Sequence, residues 1–186
     1  MVLNDIQIKN LIATKGLVTF SDLENSEVQI QPASIDLRLG RSFKVIDSKR
    51  TGIINPNVPI EYTTVEQDTF IIQPHQFILA TTMETINLPD NLTSFVEGRS
   101  SIGRLGLFVQ NAGWVDPGFK GEITFELFNA TDCPIILESG MRIAQLVFCT
   151  MDSDCENPYN GKYQNQRGAT ASMIYRDTDL NIKEVN

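Results

Sequence analysis

Apolar and polar residues alternate along most of this chain. In "SIDLRLG" and "SFKVID" the apolar residues recur at every second position, which predicts strands with one face in a core. "EVQIQ", just upstream, alternates in the same way and predicts another. The block "TFIIQPHQFILATTMETINLP" holds two more, with Pro74 and His75 in the connecting turn, because proline cannot donate to a strand ladder. "GEITFELFN" and "PIILESGMRIAQLVF" add further strands, the second broken by turn residues at "ESGM". One segment departs from the period of two. In "LNDIQIKNLIATKG", Ile8, Leu11 and Ile12 recur at helical spacing, Asn4 or Asp5 caps the start and Gly16 stops it. Many short strands with one short N-terminal helix predict a mainly β fold, a sandwich or distorted jelly roll.

Length and composition narrow the class. A chain of 186 residues with no linker-like tract, 41% hydrophobic and 20% charged, is expected to fold as a single domain over 1–186. Its formal charge of −8 argues against nucleic-acid binding, which needs a surplus of lysine and arginine. No apolar run approaches the roughly 18 residues that span a bilayer, and "MVLNDIQIKNLIA" is too polar for a signal peptide, so no membrane association and a cytoplasmic location are expected. Cys133, Cys149 and Cys155 contain no C-x-x-C pair and read as reduced thiols. His75 is the only histidine, which excludes any mechanism needing two.

Chemistry concentrates between Phe95 and Asn129. "GRSSIGR" sets Arg99, Ser100, Ser101 and Arg104 at the entry to a helical turn. Guanidinium forks, hydroxyls and turn N–H groups together suit a polyphosphate, although there is no Walker A loop; solvated polar residues at a strand end are the plainer reading. "NAGWVDPGFKGE" puts Asp116 in a turn where Gly113, Gly118 and Gly121 allow close approach of a ligand to the backbone. In "ITFELF", Ile123, Phe125 and Leu127 share one face and Thr124, Glu126 and Phe128 the other. A strand glutamate usually faces water, but beside Phe128 a half-buried Glu126 would have a raised pKa suited to acid–base work. The tail "NPYNGKYQNQRGATASMIYRDTDLNIKEVN" reads either as a frayed terminus or as a lid over a ligand.

These residues resemble the dCTP deaminase branch of the dUTPase superfamily. "QPASIDLRLG" is similar to its early strand motif, "EGRSSIGRLGL" to its phosphate motif, "AGWVDPGFKGEITFELFN" to its central active-site motif and "GKYQNQRGATAS" to its closing C-terminal segment. The resemblance implies a homotrimer of distorted β-barrels or jelly rolls of the dUTPase-like fold, with active sites between subunits and residues 157–186 as lid and tail. It implies Glu126 as general base and acid for the water attacking C4 of cytosine, with Ser100 and Arg104 holding phosphate and placing that water. Arg99, Ser101, Asp116, Thr124, Phe125, Tyr159, Lys162 and Gln166 match substrate-binding positions. Plain dUTPases carry an apolar or small residue at the position of Glu126. The zinc deaminase signature, H-x-E with P-C-x-x-C, is absent, so no zinc is expected, and Mg²⁺ is expected only with the triphosphate.

Between Arg104 and Asp116, "LGLFVQNAGWV" is one residue shorter than in deaminases that stop at dUTP and lacks their histidine and threonine. In this the chain resembles Bacillus-type bifunctional enzymes, in which the aspartate matching Asp116 directs a second water at the α-phosphate of dUTP. The resemblance then implies conversion of dCTP through dUTP to dUMP and pyrophosphate, supplying dUMP for thymidylate synthesis. It also implies dTTP as a feedback inhibitor, switched near Gln110, Asn111 and Ala112. A deaminase that releases dUTP and a non-catalytic nucleotide-binding regulatory trimer are the alternatives.

Overall fold

The computed structural model describes residues 1–21, 26–110 and 113–177. Helix α1 (Asp5–Lys15) is capped as its sequence predicts: the Asn4 side chain accepts the Gln7 N–H at 2.9 Å and the Gln7 side chain accepts the Asn4 N–H at 3.0 Å. Such a cap is worth about 0.5–2 kcal/mol. Ile8 seats the helix on the core, and Gly16 ends it.

Strand β1 (Val18–Thr19) leads to a short helix α2 (Ser26–Gln29) and β2 (Ile30–Gln31). The continuous strand expected at "EVQIQ" is therefore only its last two residues. Burial runs opposite to the apolar pattern here. Val28 is 58% exposed, whereas Gln29 is fully buried, its Nε2 donating to the Asp36 carbonyl and to Glu84 Oε1.

Strand β3 (Ser34–Ile46) runs "SIDLRLG" and "SFKVID" together as one element. Its first half pairs with β2 and with the last strand, its second half with β4 (Tyr62–Glu66), which follows the one-turn helix α3 (Ser48–Thr51). The change of partner occurs at Gly40, where a Cβ would lie 2.6 Å from Thr81 Cγ2. Glycine there admits a neighbouring strand rather than ending its own.

Strands β5 (Thr69–Ile72) and β6 (Phe77–Asn87) flank the turn at Pro74 and His75, where His75 adopts φ 57°. Then come β7 (Leu92–Gly98), the single turn α4 (Ser100–Gly103), β8 (Leu107–Val109) and β9 (Trp114–Val115). The series ends with β10 (Lys120–Asn129), β11 (Ile135–Glu138) and β12 (Arg142–Thr150). The main sheet runs β8-β10-β6-β3-β12-β7-β9, with β1 on β6 and β2 and β4 on β3; β5 and β11 form a separate pair.

The expected mainly β, distorted barrel follows from this order, because the two ends of the sheet curl toward each other. A Cβ on Gly98 of β7 would lie 3.5 Å from Val109 Cβ on β8. Phe43, Phe125, Phe148 and the aliphatic residues of β3, β6 and β12 fill the interior, and Phe43 stacks on Phe70 at 4.7 Å. One ion pair is buried with them: Arg38 Nε lies 2.8 Å from Glu84 Oε1. Removing either partner would cost about 3–5 kcal/mol, because the pair is buried and the other charge would lose its close counter-ion. No described helix is long and apolar enough to cross a membrane.

Candidate functional site

The seam between the curled ends of the sheet holds a cavity of about 430 Å³. Strand β10 supplies its chemistry through strict alternation. Ile123, Phe125 and Leu127 are buried, which leaves Thr124, Glu126 and Phe128 on the opposite, half-buried face. Thr124 and Glu126 line the cavity with Phe77 and Leu79 of β6, Val96 of β7 and Trp114 of β9. Asp116 follows β9 at the rim, where Trp114 Nε1 donates to its Oδ1 at 3.1 Å. Phe125 also borders the space, but its side chain is 2% exposed and belongs to the core.

Burial pushes the Glu126 carboxyl above its ordinary pKa of 4.5. Tyr62 of β4 lines the same cavity, and burial, then the neighbouring Tyr163 and Glu126, push its phenol up as well. The largest cause is the same in both, since apolar walls and partial exclusion of water disfavour an anion.

The tail supplies the remaining wall through Tyr159, Tyr163, Gln166 and the run Thr170 to Ser172. It lies along β10 as an added, irregular strand. Asn165 N–H donates to Lys120 O at 2.7 Å, Glu122 N–H to Gln166 O at 3.1 Å and Thr170 N–H to Thr124 Oγ1 at 3.0 Å. The glycines of the central motif serve this packing. A Cβ on Gly121 would lie 3.0 Å from Gln166 N and O, one on Gly118 would lie 2.7 Å from Pro158 Cβ, and Gly113 is pressed against Val96. The backbone that approaches them is thus the chain's own, in place of the ligand expected there.

Arg99 and Ser100 lie in a second, adjoining cavity of about 390 Å³, bordered by β7, α4 and β8. Gln110 lines both spaces; Asn111 and Ala112 lie outside the described residues. Arg99 is held from beneath. Its Nε is 3.3 Å from Asp36, and its Nη1 donates to the Arg142 carbonyl at 3.0 Å. Asp36 is fully buried between Arg99 and Arg142; burial raises its pKa, and the two guanidiniums pull it back. Ser101 and Arg104 are exposed on the same turn. Lys162 lies outside both linings, bonded to Asp177 and 5.6 Å from the Tyr163 ring, and its pKa is raised by that bond to Asp177.

The structure therefore brings Asp116, Thr124, Phe125, Glu126, Tyr159 and Gln166 to one cavity and Arg99 and Ser100 to its neighbour. Ser101, Arg104 and Lys162 stand outside both. Tyr62, Tyr163 and Asp36 were not singled out as site residues in the sequence. Asp36 does fall within the quoted motif "QPASIDLRLG", while Tyr62, in "EYTTVEQ", gave no signal.

A family model described as dCTP deaminase-like matches residues 2–151. A dCTP deaminase, dUMP-forming, from Persephonella marina is 54% identical over 183 residues, covering 96% of this chain and 100% of that protein. One of the same description from Sulfurihydrogenibium is 52% identical over 184 residues, with the same coverage. The crystal structure of 2′-deoxycytidine 5′-triphosphate deaminase from Agrobacterium tumefaciens is similar at a TM-score of 0.63 and 23% identity, over 79% of this chain and 47% of that one; it shares the fold. With the family model spanning most of the sequence and relatives identical at more than half of the aligned positions, the chain belongs to the dCTP deaminase-like family.

Proposed function

We propose that this protein deaminates dCTP to dUTP and ammonia and then cleaves dUTP to dUMP and pyrophosphate. The carrying observation is that Glu126 and Asp116 border one cavity, in a chain 54% identical to a relative named dUMP-forming. Glu126 takes a proton from a water as its oxygen adds to C4 of cytosine. The carboxyl passes that proton to N3 as the N3–C4 double bond opens, then carries the proton of the new C4 hydroxyl to the exocyclic nitrogen; the C4–N bond breaks as C4=O forms, and ammonia leaves. A carboxyl with a raised pKa suits both transfers. Asp116 directs a second water at the α-phosphate, a new P–O bond forms, and the bond to the β-phosphate's bridging oxygen breaks.

Arg99, Ser100, Ser101 and Arg104 hold the triphosphate on the adjoining groove, with Lys162 and Gln166 reaching it from the tail. Among the described residues no three His, Cys, Asp or Glu side chains stand together as a metal cage. Mg²⁺ carried by triphosphate oxygens needs no such cage, and it would neutralise phosphate charge. A homotrimer is supported by an aromatic row beside Glu126. Phe128 pairs in register with Phe77 and Phe108, which are 39% and 52% exposed, and a second copy would cover them. Gln110, bordering both cavities, is the described residue through which dTTP would inhibit. A cytoplasmic location fits substrates of this kind.

The test is a time course with purified protein, Mg²⁺ and dCTP, resolving dUTP, dUMP and pyrophosphate by ion exchange. Growth of dUMP with pyrophosphate is expected. Accumulation of dUTP alone would reduce the activity to deamination, and cleavage of added dUTP without turnover of dCTP would remove Glu126 from its role.

A further inference from the structure

Glu122 has no place in the reaction just described and does not line either cavity, yet both of its carboxylate oxygens are engaged. Its Oε2 accepts the Gly168 N–H at 2.6 Å and the Thr81 hydroxyl at 3.2 Å, and its Oε1 lies 3.4 Å from Arg167 Nη1. Its backbone closes a ring with Gln166, accepting from that residue's Nε2 at 2.8 Å and donating to its carbonyl at 3.1 Å. The seat is completed by Ser42, whose hydroxyl accepts the Ala169 N–H at 3.1 Å, and by the Ala169 side chain, which is 4% exposed. A segment without regular secondary structure is thus pinned at Gln166 to Ala169 by groups from β3, β6 and β10.

At the pin and just beyond it, the tail borders the cavity: Gln166 at its start, Thr170, Ala171 and Ser172 after it. We infer that Glu122 is a positioning residue, its carboxylate seating the Arg167–Gly168 turn so that these cavity-lining residues are ordered before substrate arrives. The inference rests on reading the cavity as the nucleotide site. A carboxylate is the group for this task because it has acceptor sites for several donors at once and strengthens each bond by its charge. Without it, ordering the tail falls to the binding step, which weakens binding but leaves the bound complex the same.

The experiment compares wild type with Glu122→Gln and Glu122→Ala by amide hydrogen exchange of peptides spanning 166–170 and by steady-state kinetics on dCTP and dUTP. Exchange in that segment is expected to accelerate about tenfold or more, alanine exceeding glutamine, and KM for both nucleotides to rise about tenfold. kcat should stay within about threefold of wild type, a split that general loss of structure would not produce. Should the alanine variant fail to fold, the near-isosteric glutamine variant carries both readings. Unchanged exchange in the folded variants would overturn the seat. Accelerated exchange with unchanged KM, or with a fall in kcat alone, would overturn the positioning role. Wild-type protein inert toward both nucleotides would overturn the nucleotide assignment on which the role depends, and exchange at 166–170 would still decide the seat by itself.

Discussion

The two cavities that meet at Gln110 are built on opposite terms. The space at Glu126 is walled by β4, β6, β7, β9 and β10 and covered by the chain's own tail. The groove at Arg99 rests on one turn and two strands, and Ser100, Ser101, Arg104 and Phe108 around it are exposed. Each suits a different part of a nucleotide. A base undergoing proton transfer gains from a dry wall that raises a carboxyl pKa, whereas a triphosphate trades water for guanidinium and hydroxyl groups and needs them accessible.

The largest effect that would break this division is at Glu126. Glu126→Gln should lower dCTP deamination by on the order of 10²–10⁴-fold while dUTP cleavage persists, as read from separate assays on the two nucleotides. Equal loss of both would make the cavity a single undivided machine. Asp116→Asn should do the converse, lowering dUTP cleavage by on the order of 10²–10³-fold, with dUTP accumulating from dCTP. An unchanged dUMP yield would move water placement to another residue. Across the seam, Arg104→Ala should reduce kcat/KM for both nucleotides by a similar factor, roughly 10–100-fold, because both present the same phosphates. A loss confined to one of them would assign Arg104 to the base side.

The same contrast marks what could be read from the sequence. The face of β10 that holds Glu126 was legible because alternation is local and strict over "ITFELF". So was the helical turn at "GRSSIGR", which α4 realises. "EVQIQ" misled because Gln29 is buried to serve the Asp36 carbonyl and Glu84, the latter 55 residues away. That Gly40 is a point of close strand approach had no local signal either, since the neighbour it admits is Thr81 of β6. The course of the tail along β10 was illegible for a related reason: its bonds to Lys120, Glu122 and Thr124 span more than forty residues and follow no period. Glu122 drew no reading from the sequence, because its partners at Arg167 and Gly168 come from the returning chain.

The smallest predicted effect probes the contrast most directly, because it measures dryness without turnover. The Glu126 carboxyl titrates near 4.5 when unfolded and higher in the folded protein, where burial opposes its charge. Between those two values the folded state binds more protons than the unfolded one, so stability falls as pH rises through that window and stays lower above it. Glutamine has no such proton. The Tm difference between Glu126→Gln and wild type should therefore be near zero below pH 4.5 and grow to a gain for the variant at neutral pH. For a group only half buried, solvent screening keeps that gain small. Asp36, also raised by burial, is common to both proteins and cancels. Ser101→Ala, on the open groove, should show a Tm difference independent of pH, because no titrating group changes. A flat profile for Glu126→Gln would mean that its carboxyl is as well solvated as the groove's side chains, and the distinction between a dry base wall and a wet phosphate groove would fail.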